Sequence, residues 1–229
     1  MNADIQVGLR LARERLRGSS APLVLCASAV VVFAIAAIER RSNAATAADD
    51  TLSGAVFGVA LPLLAYLSSE RLCLGRRLEQ SVDSVVRYGA ERRAAVLGVL
   101  LGSALCMAFA SVILTIAGLV GAHAPGSTGF ARDLLVSVEI AAVSGAVYGV
   151  WFGAASALGR RGGGRKWALI LDYAFGAGSS SFAALWPRAH VRNLLGGEAV
   201  LGWPQASAWL ALLVIGMLSI ALGIRRTAE

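Results

Sequence analysis

Long apolar runs separated by short basic clusters set the pattern of the chain. A bilayer core of about 30 Å needs roughly 20 apolar residues in a helix. Six runs come close to that length: 20–38, 52–69, 94–120, 130–158, 167–186 and 205–224. The pattern therefore predicts an all-α membrane protein with six transmembrane helices, carried in one domain over 20–229. Residues 1–19 stand apart. There Ile5, Leu9, Leu11 and Ala12 alternate with Arg10, Arg13, Glu14 and Arg17. That spacing predicts an amphipathic helix lying flat on the membrane surface.

Two connections carry periodicity of their own. Segment 70–93 reads ERLCLGRRLEQSVDSVVRYGAERR. Leu78, Val82, Val85 and Val86 share one helical face, while Glu79, Gln80, Asp83 and Arg87 take the others. Gly89 suits the end of such a helix. Segment 187–204 reads PRAHVRNLLGGEAVLGWP. Pro187 suits a first helical turn, and Gly196 and Gly197 suit its end. Val191, Leu194 and Leu195 give it an apolar side. It is too apolar for a free loop and too short to span. A re-entrant pair of short helices is predicted, which is tolerated only against protein or lining a cavity.

Composition agrees with a bilayer setting. The chain is 57% hydrophobic and 15% charged, with mean hydropathy +0.68. A soluble domain averages about 45–50% and 25%, so a soluble enzyme, a coiled coil and a disordered chain are excluded. The net charge of +7 reflects where the basic residues fall. Taking alternate segments between the runs, 16 of them fall on one side and 5 on the other. The richer side is expected to be cytoplasmic. Both termini then lie inside, in a multi-pass protein of the cell (inner or plasma) membrane. No nucleic acid is needed to explain the charge.

Candidate chemistry is sparse. Glu139 and Asp172 lie within apolar runs, where acids are costly and usually functional. Arg188 and Arg192 are the expected partners of Glu139. Ser179, Ser180 and Ser181 place hydroxyls in the fifth run. Glycines four apart (Gly54 and Gly58, Gly98 and Gly102, Gly145, Gly149 and Gly153) permit close helix packing, within one subunit or between two. Pro62 is expected to kink the second helix. No G-x-x-x-x-G-K-[ST] motif is present, so no nucleotide is expected through a P-loop. His123 and His190 are isolated, and no metal site is expected.

The arrangement resembles the membrane (permease) subunit of a type 2 ATP-binding-cassette exporter. The likeness covers nearly the whole chain. It rests on the flat N-terminal helix, the six spans, the helix between spans two and three and the re-entrant segment. The loop wording adds to it: Glu70 and Arg71 at the entry, then Arg76, Arg77, Leu78 and Glu79, then Arg87, Tyr88 and Gly89 through Arg93 at the exit. The resemblance implies that a second permease subunit, in a homodimer, encloses a pathway, and that separate ATPase subunits carry ATP and Mg. The chain itself would be no enzyme. Glu70, Arg71, Leu78, Glu79, Val82, Asp83, Val85, Val86, Arg87 and Tyr88 would couple to the ATPase. Glu139, Pro187, Arg188, Arg192 and Leu194 would form an outer gate. Asp172 and Ser179, Ser180 and Ser181 would face the pathway. Its small and apolar candidates point to a hydrophobic or amphipathic cargo: a peptide, lipid or drug-like molecule. Two other readings stay open, a proton-coupled secondary transporter using Glu139 or Asp172, and a haem-exporter-type permease of cytochrome maturation.

Overall fold

The first helix, α1 (Ala3–Arg17), opens on Asn2, whose side-chain oxygen accepts from the Asp4 N–H at 3.0 Å. A short polar cap of this kind satisfies one of the unpaired donors at a helix start. The computed structural model describes residues 2–18, 20–124 and 129–227. Six further helices of at least eight residues follow before the last one. They are α2 (Ala21–Ser42), α3 (Ala47–Leu72), α4 (Arg92–Ala122), α5 (Phe130–Ala155), α6 (Gly164–Phe175) and α7 (Pro187–Leu194). The last is α8 (Gln205–Arg226). The described residues form no strand.

Five helices, α2, α3, α4, α5 and α8, are long and apolar enough to cross a membrane. That makes the chain a multi-pass membrane protein by length and composition. The fifth expected span, a continuous helix over 167–186, does not form. Its helix, α6, is 12 residues long and ends at Gly176. At about 1.5 Å per residue this reaches some 18 Å, well short of a bilayer core. The sequence past Phe175 explains the stop. Gly176, Gly178 and three serines offer no packing side chains, and serine hydroxyls compete for backbone groups. The chain then continues through a 3-10 turn (Ala183–Leu185), α7 and a second 3-10 turn (Val200–Gly202) to α8.

Within α3, the stretch Thr51–Ala60 is a π-helix, and ordinary α-helix resumes at Leu61. The Leu61 N–H still donates five residues back, to the Val56 carbonyl. Pro62, which has no N–H to give, stands at the first turn of the resumed α-helix. The expected disruption at Pro62 thus takes the form of a change of helical register, a feature frequent at functional sites.

Small residues fix how the helices cross. Gly145 and Gly149 lie so close to the Met107 and Ser103 backbone that an added Cβ would clash at 2.4 and 2.7 Å. Ser103 Oγ donates to the Gly149 carbonyl at 3.0 Å across this α4–α5 crossing. Gly98 and Gly102 serve the packing of α1, whose Gly8, Ala12 and Leu16 are buried. These glycines pack inside one chain, whereas a Cβ on Gly54 would meet nothing.

Contacts also show which ends meet. Arg15 donates to the carbonyls of Leu72 and Ser81. Gly223 of α8 sits against Leu78, Leu100 and Ala154. So α1, the 73–91 connection, the end of α5 and the end of α8 share one end of the bundle. At the other end, Arg40 donates to the His123 carbonyl at 2.8 Å. Ser127, in the connection leading to α5, lies outside the described residues.

Candidate functional site

Asp172 is completely buried, eight residues past the start of α6. Its carboxylate accepts from the Tyr148 hydroxyl of α5 at 2.9 Å and from the Arg188 backbone N–H at 3.4 Å. Its neighbour Tyr173 donates to the Val59 carbonyl, in the π-helical stretch of α3, at 3.2 Å. The Arg188 guanidinium lies over the Tyr173 ring, 4.6 Å from its centroid. A cation held over an aromatic face gains electrostatic stabilisation from the ring. Four elements thus converge on one buried carboxylate. The aromatic rings of Trp151, Phe175, Phe182 and Trp186 pack edge to face and stacked beside it. They anchor the break after α6, where the backbone leaves the helix.

A cavity of about 510 Å³ adjoins this cluster, between α3 and α7. Asp49, Ser53 and Phe57 line it from α3, and Arg188 and Arg192 from α7. The apolar side of α7 turns inward: Pro187, Val191 and Leu194 are buried. His190 is buried too, with its Nε2 2.8 Å from the Ala184 carbonyl oxygen. The helix expected at the start of 187–204 is therefore present, with its apolar side inward. The site combines fixed positive charge at a cavity wall with a desolvated carboxylate behind it.

Several expected placements change. Glu139 does not meet Arg188 or Arg192; it is exposed on α5, on the same face as Leu135 and Val136. The helical register decides this, since α5 turns Ser137 and Ile140 inward instead. Arg192 pairs with Glu198 at 3.5 Å and also donates to the Ala177 carbonyl. Ser179, Ser180 and Ser181 do not stand on a membrane helix. They lie in the turn after α6, where Ser180 and Ser181 are exposed and the Ser179 carbonyl accepts from the Leu201 N–H.

The 70–93 connection departs from a single helix over 78–87. It forms two four-residue helical turns, Leu78–Ser81 and Asp83–Val86, broken at Val82. Leu78 and Val82 are wholly buried against Val96, Val99 and Leu100. Val85 and Val86 are half-buried, and Arg87 is exposed. Glu79 pairs with Arg77 at 2.9 Å, and Asp83 with Arg92 at 2.8 Å. Arg71 donates to Ser20 Oγ at 2.8 Å. Glu70 is tied inward: its carboxylate lies 2.6 Å from the buried Arg165 at the start of α6. Arg165 also donates to the Arg76 carbonyl and to Ser156 Oγ. Burial pushes the neighbouring Cys73 thiol above its ordinary range, which leaves it protonated and unreactive at neutral pH. Tyr88 is the opposite case, 94% exposed at the tip.

Tyr148, Tyr173 and Arg165 were not among the residues singled out from the sequence. A phenol deep inside an apolar run is the signal that marks Tyr148; nothing in the wording of 160–166 distinguishes Arg165 from its basic neighbours. No protein-family model, curated protein or solved structure matches the chain.

Proposed function

We propose that this chain is the permease subunit of an ATP-driven exporter of the ATP-binding-cassette kind, with ATP hydrolysed by a separate subunit. In this reading the end of the bundle that holds α1 and the end of α8 is cytoplasmic. The segment 164–204 completes a sixth crossing, and two copies enclose the pathway. The observation that carries the reading is the construction of the 73–91 connection. A base of Leu78 and Val82 is locked into the bundle, while Arg87 and Tyr88 project from it, free of the core. A partner that pushes on such a tip moves the spans behind it. Aromatic and arginine anchors are the side chains that most often dominate partner binding. The cavity flanked by Arg188 and Arg192 is then the outer part of the pathway. It suits an amphipathic cargo with an anionic or polar group.

The test is reconstitution of the chain with an ATP-binding-cassette ATPase that co-purifies with it. Tyr88→Ala is expected to lower stimulated ATP hydrolysis at least tenfold and to leave the thermal midpoint of the permease unchanged. Val82→Asp, by contrast, places a charge in the core and is expected to prevent folding. Full stimulation by Tyr88→Ala would remove the coupling role from this connection.

One observation favours a second reading. Asp172 is buried with a phenol as its nearest side-chain partner, which suits a proton-coupled transporter. Uptake or efflux driven by a pH gradient without ATP, abolished by Asp172→Asn, would select it.

A further inference from the structure

A second and larger cavity, about 780 Å³, opens between α1, α2, α3 and α4. Its wall is hydrocarbon: Leu64, Leu67, Leu105 and Phe109 line it. Leu67, Leu105 and Phe109 are 44%, 67% and 66% exposed, so the cavity opens on the outside of the helix bundle. Along α4 it runs from Gly102 to Ala110, about 12 Å at 1.5 Å per residue. One end is different in kind. Arg10, Arg13 and Arg17 of α1 and Arg71 at the end of α3 line it, with the Ser20 and Ser68 hydroxyls.

The arginines of α1 divide by role. Arg15 turns away from the cavity and is spent on the Leu72 and Ser81 carbonyls. Arg10, Arg13 and Arg17 are exposed, and none of them, nor Arg71, is in an ion pair among the described residues. Among the described residues, no acidic side chain lines the cavity. Four guanidinium groups would repel one another around an empty mouth. Guanidinium forks match phosphate oxygens in geometry as well as charge.

We propose that this cleft binds an anionic phospholipid, its phosphate held by Arg10, Arg13, Arg17 and Arg71 and an acyl chain lying along Leu64, Leu67, Leu105 and Phe109. A zwitterionic lipid would bring a second, positive group into the same arginine cluster. A soluble phosphate would leave the apolar wall uncovered. The lipid would also serve the fold, since it bridges α1 to the end of α3. This inference is independent of the transport reading.

The experiment is native mass spectrometry of the full chain in detergent, titrated with phosphatidylglycerol, with phosphatidylcholine of the same chains, and with inorganic phosphate. Wild type is expected to retain phosphatidylglycerol at least tenfold more tightly than phosphatidylcholine, and to show no retained phosphate. A variant with Arg10→Gln, Arg13→Gln and Arg17→Gln is expected to lose that preference, since one basic residue near an anionic surface is worth on the order of fivefold in affinity. Leu105→Trp, which fills the wall and alters a side chain already on the surface, is expected to reduce retention with the arginines intact. Equal retention of the two lipids by wild type, or an undiminished preference in the triple variant, overturns the proposal. So does saturation by inorganic phosphate that blocks the lipid, which would mark an ion site instead. If the triple variant does not fold, undiminished retention by Leu105→Trp decides against the cleft in the same way.

Discussion

The Tyr148 hydroxyl of α5 donates to the Asp172 carboxylate of α6 across 2.9 Å, and both side chains are wholly buried. This bond joins a helix that spans to one that stops short. It therefore holds the short helix, and the α7 segment that follows, against the bundle.

Removing the phenol hydroxyl leaves that carboxylate with only a long backbone contact. Tyr148→Phe is expected to cost about 1.5–3 kcal/mol, the range for hydrogen bonds to charged groups. The check is the thermal midpoint of the purified protein in detergent. Asp172→Asn, which keeps an oxygen for the same bond, should cost less than Asp172→Ala. An unchanged midpoint in Tyr148→Phe would show that the bond contributes nothing.

The Glu70–Arg165 pair clamps the 70–77 stretch onto the start of α6. The Arg165 side chain is 3% exposed and that of Glu70 is 37%. Glu70→Ala strands a buried guanidinium. Removing one partner of a fully buried pair costs about 3–5 kcal/mol. Glu70 reaches water, so about 2 kcal/mol is the expected loss here. Glu70→Gln, which keeps a polar oxygen beside the guanidinium, should recover part of it. Denaturation monitored by tryptophan fluorescence would report the order of the three proteins, and equal stability of all three would refute the clamp.

Gly98 packs α1 onto α4. A Cβ there would stand 2.2 Å from the Ile5 carbonyl oxygen and 2.8 Å from the Gly8 Cα. Neither backbone atom can rotate away, so Gly98→Val is expected to lift α1 from the bundle without unfolding the spans. Faster proteolysis after Arg10 and Arg13, with the remainder of the chain resistant, is the expected readout. Wild-type cleavage rates would mean that α1 is not held by this contact.

Orientation can be read with single cysteines in a background lacking Cys26, Cys73 and Cys106. Positions Ser84 and Arg160 belong to the end of the bundle that holds α1, while Ala45 and Glu198 belong to the other. An impermeant thiol reagent applied to intact cells is expected to label cysteines at 45 and 198 only, as the basic-residue imbalance requires. Labelling at 84 instead would invert the protein in the membrane.

Periodicity and run length sufficed for the spans α2, α3, α4, α5 and α8, for the existence of the helix α1 and for the inward apolar side of α7. Each follows from burying apolar surface at helical spacing, a local property. Small residues at spacing four also marked faces of α4 and α5 that pack closely, because close approach of backbones needs no particular partner sequence, but which helices meet there was not legible. Other features depend on which residues meet across the bundle. Run length alone extended the fifth helix through Gly176 to 186; the true stop reflects a glycine and serine stretch that the aromatic rings around Trp186 hold in a turn. The face of α5 that turns inward is settled by packing of Gly145 and Gly149 on α4, and that leaves Glu139 outside and brings Tyr148 to Asp172. Likewise Val82 and Glu70, which the resemblance assigned to an ATPase partner, are held by α4 and α6. Where helices form and which stretches suit a bilayer depends on neighbours along the chain, and is legible there. Which polar groups meet depends on the fold, because a buried charge takes whatever partner the packing of distant helices brings within reach.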